Sequence, residues 1–154
     1  MNATKTATKI DTAERQAWMG LLARAPAPRL AGLMRAVARP GFTWLRRPEV
    51  GGVMVRGRTG GTGAPFNLGE MTVTRCALRL DTGEVGHAHV QGRDKTHAEA
   101  AALVDAMMTG PDASAVRAAV LDPLAGAEQA ARLARAARAE ATKVAFFTMV
   151  RGED

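Results

Sequence analysis

Three groups of residues in this chain are of types that do chemistry. His87 and His89 stand two apart in an apolar stretch, so on a strand both imidazoles project from one face, with Gln91 next on it. Two imidazoles there could bind a metal if His97 approached as a third ligand; solvent-facing or hydrogen-bonded histidines are the alternative. The second group is Arg58-Thr59-Gly60-Gly61-Thr62-Gly63. Its backbone amides could form a nest for a phosphate, with Arg56, Arg58 and Arg75 nearby, or could simply turn a corner between strands. The run lacks the Lys-Ser/Thr ending of a P-loop and does not open a helix, which argues against ATP held in that mode. The third group is Asp94, Glu99 and Asp105, carboxylates able to act as acid or base only if a pocket faces their helix. Arg93, Asp94 and Lys95 read equally well as an interfacial ion-pair cluster. No Ser/His/Asp ordering, His-Glu-x-x-His or Cys-x-x-Cys pattern completes a catalytic constellation, so no residue is assigned a catalytic role.

These residues must be positioned by one domain spanning 1–154, large enough for a modest core. Hydrophobic residues make up 47% and charged residues 23%, as in an ordinary globular protein. Alanine supplies much of the apolar fraction, and the aromatics are four Phe and two Trp. Such a core buries little area per residue, so the chain is expected to be marginally stable alone and to gain from a partner. The net charge of +6 favours polyanions or an acidic protein. No basic run exceeds Arg46-Arg47 and no nucleic-acid-binding motif is present, which argues against nucleic acid. The single Cys76 excludes an internal disulfide and sits in an apolar strand, where it reads as a small buried hydrophobe. No apolar run approaches the roughly 20 residues of a membrane span, and a cytoplasmic protein is expected.

Along the chain, residues 1–10 are Thr/Lys-rich and expected to be frayed. Asp11-Thr12-Ala13-Glu14 offers a capping box for a helix with Trp18, Leu21, Leu22 and Ala25 on one stripe, broken by Pro26 and Pro28. A short helix carries Leu30, Leu33, Met34 and Val37 and ends before Pro40-Gly41. Strands follow: Phe42–Leu45 and Val53–Arg58 around a Pro-Glu-Val-Gly-Gly turn, then Glu70–Leu80, whose apolar phase switches partway through either a bulge near Arg75 or burial of both faces, a hairpin at Asp81–Gly83, and Val85–Gln91. Thr96-His97-Ala98-Glu99 is a second capping box, opening a helix that is expected to bury Ala100, Leu103, Val104, Met107 and Met108. Ala98, Ala102 and Ala106 on that helix are small enough for another backbone to approach. A short helix covers about 113–121, and Asp122-Pro123 starts an Ala/Arg-rich helix to about 140. Lys143–Val150 reads as a last strand apolar on both faces, hence central or covered by another subunit. The expected fold is α+β, an antiparallel sheet of about four to five strands packed with N-terminal and C-terminal helices.

Four strings occur in order: Gly60-Gly61-Thr62-Gly63, Thr72-Val73-Thr74-Arg75, Val90-Gln91-Gly92-Arg93-Asp94-Lys95-Thr96-His97-Ala98-Glu99 and Phe146-Phe147-Thr148-Met149-Val150-Arg151-Gly152. Together they closely resemble the PhnG family, subunits of the bacterial carbon–phosphorus lyase system for phosphonate breakdown. The similarity runs from Gln16-Ala17-Trp18-Met19 to Arg151-Gly152. The resemblance implies a non-catalytic subunit of a core assembly with PhnH-, PhnI- and PhnJ-like subunits, served by PhnK/PhnL-like ATPase subunits. That assembly makes α-D-ribose 1-methylphosphonate 5-triphosphate from ATP and methylphosphonate, releasing adenine. It further implies no cofactor on this chain, with Mg-ATP used by the complex and S-adenosylmethionine and an iron–sulfur cluster in the PhnJ-like subunit. Aromatic residues can replace His87 and His89 in the family, which argues against ligation. Gln91, Arg93, Asp94, Lys95, His97, Glu99, Phe146, Phe147, Met149 and Arg151 are expected at the partner interface, and a homodimer is possible in isolation. Two alternatives stand beside this: a phosphate site using Arg58, Gly60, Gly61, Thr62, Gly63 and Arg75, with Arg93 as a further cation, and a basic nucleic-acid-binding domain.

Overall fold

Asp11 ends its extended backbone with a carboxylate accepting from Ala13 N at 3.4 Å, and from that cap α1 runs over Thr12–Arg24. The computed structural model describes residues 11–143. Trp18, Leu21 and Leu22 are the buried stripe of α1, and Leu30 is the buried anchor of α2, Ala27–Met34. Strands β1 (Phe42–Arg58), β2 (Pro65–Leu80) and β3 (Val85–Gln91) form one antiparallel sheet in the order β1-β2-β3. Helix α3, Lys95–Met108, lies on β2 and β3, and the core gathers Leu78, Val90, Leu103 and Val104 with α1 and α2.

The α+β class stands, with three strands among the described residues. The expected turn at residues 48–52 is absent: Phe42–Arg58 is one strand, with Gly51 opposite Val73 and Gly52 opposite Thr72. Pro48 is tolerated because the register shifts between Arg46 and Glu49, where no ladder hydrogen bond is asked of its missing N–H. At Gly52 the Glu70 side chain lies where a Cβ would stand, so a larger residue there would require Glu70 to turn aside. The irregularities lie at Trp44/Arg46, Arg46/Glu49 and Val55/Arg56, while β2 pairs with β3 without interruption through Arg75. The expected fourth strand, Lys143–Val150, falls almost wholly outside the described residues, as do residues 1–10.

The helical C-terminal part also departs from expectation. The short α4 (Ala113–Val116) passes through a π-helical turn, Arg117–Leu121, directly into α5, Asp122–Ala141. Pro123 cannot donate a helical hydrogen bond, and the wider turn before it lets the chain continue instead of breaking; Asp122 N reaches back to Arg117 O. Beyond Leu124, no residue of α5 is buried. Among the described residues no helix is long and apolar enough to cross a membrane.

Candidate interaction site

The glycine run forms the far tip of the β1–β2 ribbon. Gly60 and Gly61 take φ of 59° and 84°, open to glycine and strained for other residues, and Gly63 N donates to Thr59 O at 2.8 Å. Arg58 Nη1 donates to Gly63 O at 3.1 Å, so this guanidinium closes its own loop. Arg75 is not beside it. Arg58 pairs with Pro65 across the ribbon, whereas Arg75 pairs with Glu49, nine residues back along β1, and its Nε meets the Glu49 carboxylate at 2.8 Å. Arg56 and Arg58 stay exposed near the tip, and Arg93 belongs to the loop before α3. The cations expected to converge on a phosphate are distributed along the ribbon and, for Arg93, in the loop before α3.

The 91–99 segment divides into residues used internally and residues left outside. Asp94, and not Thr96, caps α3, its carboxylate accepting from His97 N at 2.8 Å. His97 is buried, with Nε2 2.9 Å from Leu22 O; a carbonyl only accepts, so the imidazole proton sits on Nε2. That bond satisfies a carbonyl of the last turn of α1. Glu99 is ion-paired with Arg39. Gln91, Arg93 and Lys95 remain exposed, and a shallow depression of ≈ 530 Å³ lined by Met71, Val73, His89 and Gln91 opens beside them. Phe146, Phe147, Met149 and Arg151 lie outside the described residues.

His89 stands opposite Arg75 and His87 opposite Ala77, so both imidazoles share the outer face of the sheet with Arg75 and Arg79, and all four are exposed. His97 lines the depression beside Gln91 together with His89, but it is buried and its Nε2 is committed to Leu22 O. No three His, Cys, Asp or Glu side chains among the described residues are grouped to hold a metal. Cys76 is buried and its Sγ–H donates to Ala98 O at 3.3 Å; burial, aided by the nearby Glu99 charge, pushes its thiol up to about 11. A thiol so held is poorly nucleophilic at neutral pH.

Asp105, a candidate acid/base from the sequence, is fully buried and faces no pocket. Oδ1 accepts from Trp18 Nε1 at 2.8 Å and Arg15 Nε at 3.1 Å; Oδ2 accepts from Arg15 Nη2 at 2.7 Å and His87 N at 2.8 Å. Arg15 Nη2 also donates to Val85 O at 3.1 Å. One carboxylate thus joins α1, β3 and α3 and occupies the free edge of β3, a position that would otherwise present unpaired backbone groups. The small-residue face of α3 is likewise spent inside the chain. A Cβ on Gly86 would come within 2.0 Å of Ala102 O and 2.6 Å of Ala106 N, so the backbone that approaches those alanines is the chain's own β3.

Asp94, His97, Glu99 and Asp105 are thus held in a cap, a core hydrogen bond, an ion pair and a buried network, while Arg93 and Lys95 stay exposed. Residues 13–152 match the family described as phosphonate metabolism protein PhnG. A curated relative from Rhizobium meliloti (strain 1021) is named alpha-D-ribose 1-methylphosphonate 5-triphosphate synthase subunit PhnG. It is 44% identical over 155 residues, covering 100% of this chain and 99% of the relative.

Proposed function

The chain belongs to the PhnG family, and from that membership we propose that it is a structural subunit of a synthase making α-D-ribose 1-methylphosphonate 5-triphosphate from ATP and methylphosphonate. The observation that carries this is the full-length identity with a subunit of that name. The geometry supports a non-catalytic part: Asp94, His97, Glu99 and Asp105, the candidates with chemistry to offer, are each engaged in holding the fold. The chemistry then belongs to PhnH-, PhnI- and PhnJ-like partners in the cytoplasm, served by PhnK/PhnL-like ATPase subunits. The exposed Gln91, Arg93 and Lys95, with the depression beside Gln91, supply one contact with those partners. Phe146, Phe147, Met149 and Arg151 supply another.

The test is reconstitution. Purified chain alone should give no methylphosphonate-dependent adenine release from ATP. The co-expressed complex should give it, and omission of this chain should abolish it. Adenine release by the chain alone, persisting through rigorous purification, overturns the proposal, as does full activity of a complex lacking it.

A further inference from the structure

The β1–β2 ribbon outruns the rest of the sheet. β3 pairs with β2 only from Val73 to Arg79, yet β1 and β2 stay paired from Gly52–Thr72 out to Arg58–Pro65. Seven β1 residues at about 3.3 Å each carry this arm roughly 23 Å beyond the three-stranded part. A two-stranded ribbon is marginal in water without something against its apolar side chains. Here they face outward: Met54 is 58% exposed, Phe66 44% and Leu68 65%. Leu68 is the extra residue of a bulge, since Val55 pairs with Gly69 and Arg56 with Asn67. The bulge sets Leu68 beside Phe66 over Gly57, each reaching 3.6 Å from where a Cβ would stand. Val55 and Gly57, of intermediate burial, alternate with the exposed Met54, Arg56 and Arg58. The arm therefore has an apolar side at Val55, Phe66 and Leu68 and a basic side at Arg56 and Arg58.

We propose that this arm inserts into a cleft of a different protein, one wall apolar against Phe66 and Leu68, the other carrying carboxylates that meet Arg56 and Arg58. The inference rests on the subunit reading above and names a surface for it that lies apart from the 91–99 segment. Charge selects the occupant. Strands β1 and β2 hold six arginines against two glutamates, and Glu49 already bridges Arg46 and Arg75. Pairing arm to arm between two copies would set Arg56 and Arg58 of each against those of the other, with Glu70 the single carboxylate that each arm brings. A nucleic acid would use the arginines but leave Phe66 and Leu68 in water, whereas an acid-lined apolar cleft covers both sides.

The experiment co-expresses the full chain with the remaining synthase subunits and measures its retention by a tagged subunit. Phe66→Asp with Leu68→Asp, and separately Arg56→Glu with Arg58→Glu, should each lower retention by about tenfold or more. The isolated variants should keep the wild-type melting temperature and circular-dichroism spectrum, because the arm adds no residue to the buried core. An Arg56→Lys chain should give zero-length carbodiimide cross-links from position 56 to carboxylates of another subunit. Wild-type retention matched by both variant pairs overturns the arm inference and leaves the subunit reading intact; failure of the wild-type chain to be retained removes both. The inference is also overturned if the isolated chain is a dimer that Phe66→Asp/Leu68→Asp makes monomeric. Arm-dependent binding of single-stranded RNA overturns it too, as does arm protection from deuterium exchange that disappears when residues 144–154 are deleted.

Discussion

The body of the molecule and its arm are built on opposite terms. In the body, polar and apolar groups are both consumed: Asp105 has four donors, His97 has the Leu22 carbonyl, and no described buried side-chain nitrogen or oxygen lacks a partner. Along the arm, glycines and exposed hydrophobics alternate, and charges outnumber their partners. The body holds itself together, whereas the arm derives little of its order from the rest of the chain. A family subunit needs both properties, a fold that survives alone and a surface that does not complete itself.

The contrast breaks most severely at Asp105. Asp105→Ala removes the acceptor for two arginine donors, an indole N–H and a strand amide in one step. Breaking a buried charged pair of this kind costs about 3–5 kcal/mol, comparable with the whole stability of a modest domain. Urea or thermal unfolding should lose its cooperative transition near room temperature. A variant with a wild-type midpoint would show that the network does not secure the body.

Next in size is Gly86, where α3 meets β3. A Cβ there collides with backbone atoms of Ala102 and Ala106, which cannot rotate away as a side-chain tip can. Overpacking of this type costs about 1–3 kcal/mol, so Gly86→Ala should lower the urea midpoint clearly while m stays unchanged. At Gly69 in the arm a Cβ meets nothing within 4 Å, and Gly69→Ala should shift the midpoint by no more than about 0.5 kcal/mol in equivalent stability. Equal effects at the two glycines would erase the distinction between body and arm.

How much of this was legible from the residues differs between the same two regions. The stripes of α1 and α3, the hairpin at Asp81–Gly83 and the burial of Cys76 follow from local spacing, and the structure has them. The unbroken β1 was hidden because Pro48, Gly51 and Gly52 are turn-type residues locally, and only pairing with β2, Gly51 with Val73 and Gly52 with Thr72, overrides that preference. The cap of α3 was displaced by two positions because Asp94 and Thr96 are both competent caps and the sequence does not rank them. Asp105 gave no local sign of its role: its partners lie 90, 87 and 18 residues away. The one available hint was the Arg15 and Trp18 spacing on α1, which places a guanidinium and an indole N–H on a common face. Arg58 and Arg75 looked close enough in sequence to share a ligand, but a straight ribbon holds them at different levels.

The smallest effect belongs to α5, which beyond the buried Leu124 and the Arg29 hydrogen bond to Pro123 O is joined to α1 by an exposed ion pair. Arg24 Nε donates to Glu128 Oε1 at 2.7 Å, with the two side chains 62% and 41% exposed. That hydrogen bond is the main reason Glu128 titrates below the ordinary glutamate range; partial burial opposes it, and the charges of Arg24, Arg132 and Arg135 add to it. A depressed carboxylate stabilises the fold in its charged form, so the contribution is full above the unfolded-state value and is lost as pH falls through the lower folded value. Water screens a pair this open, and its worth is under about 1 kcal/mol. Glu128→Gln should therefore lower the urea midpoint slightly at neutral pH and low salt. The gap should close in high salt, and it should close again in acid once the pH has fallen below the lowered folded-state value of Glu128. A gap that persisted in acid would mean that packing against α1, and not the ion pair, anchors α5, making that helix part of the body after all.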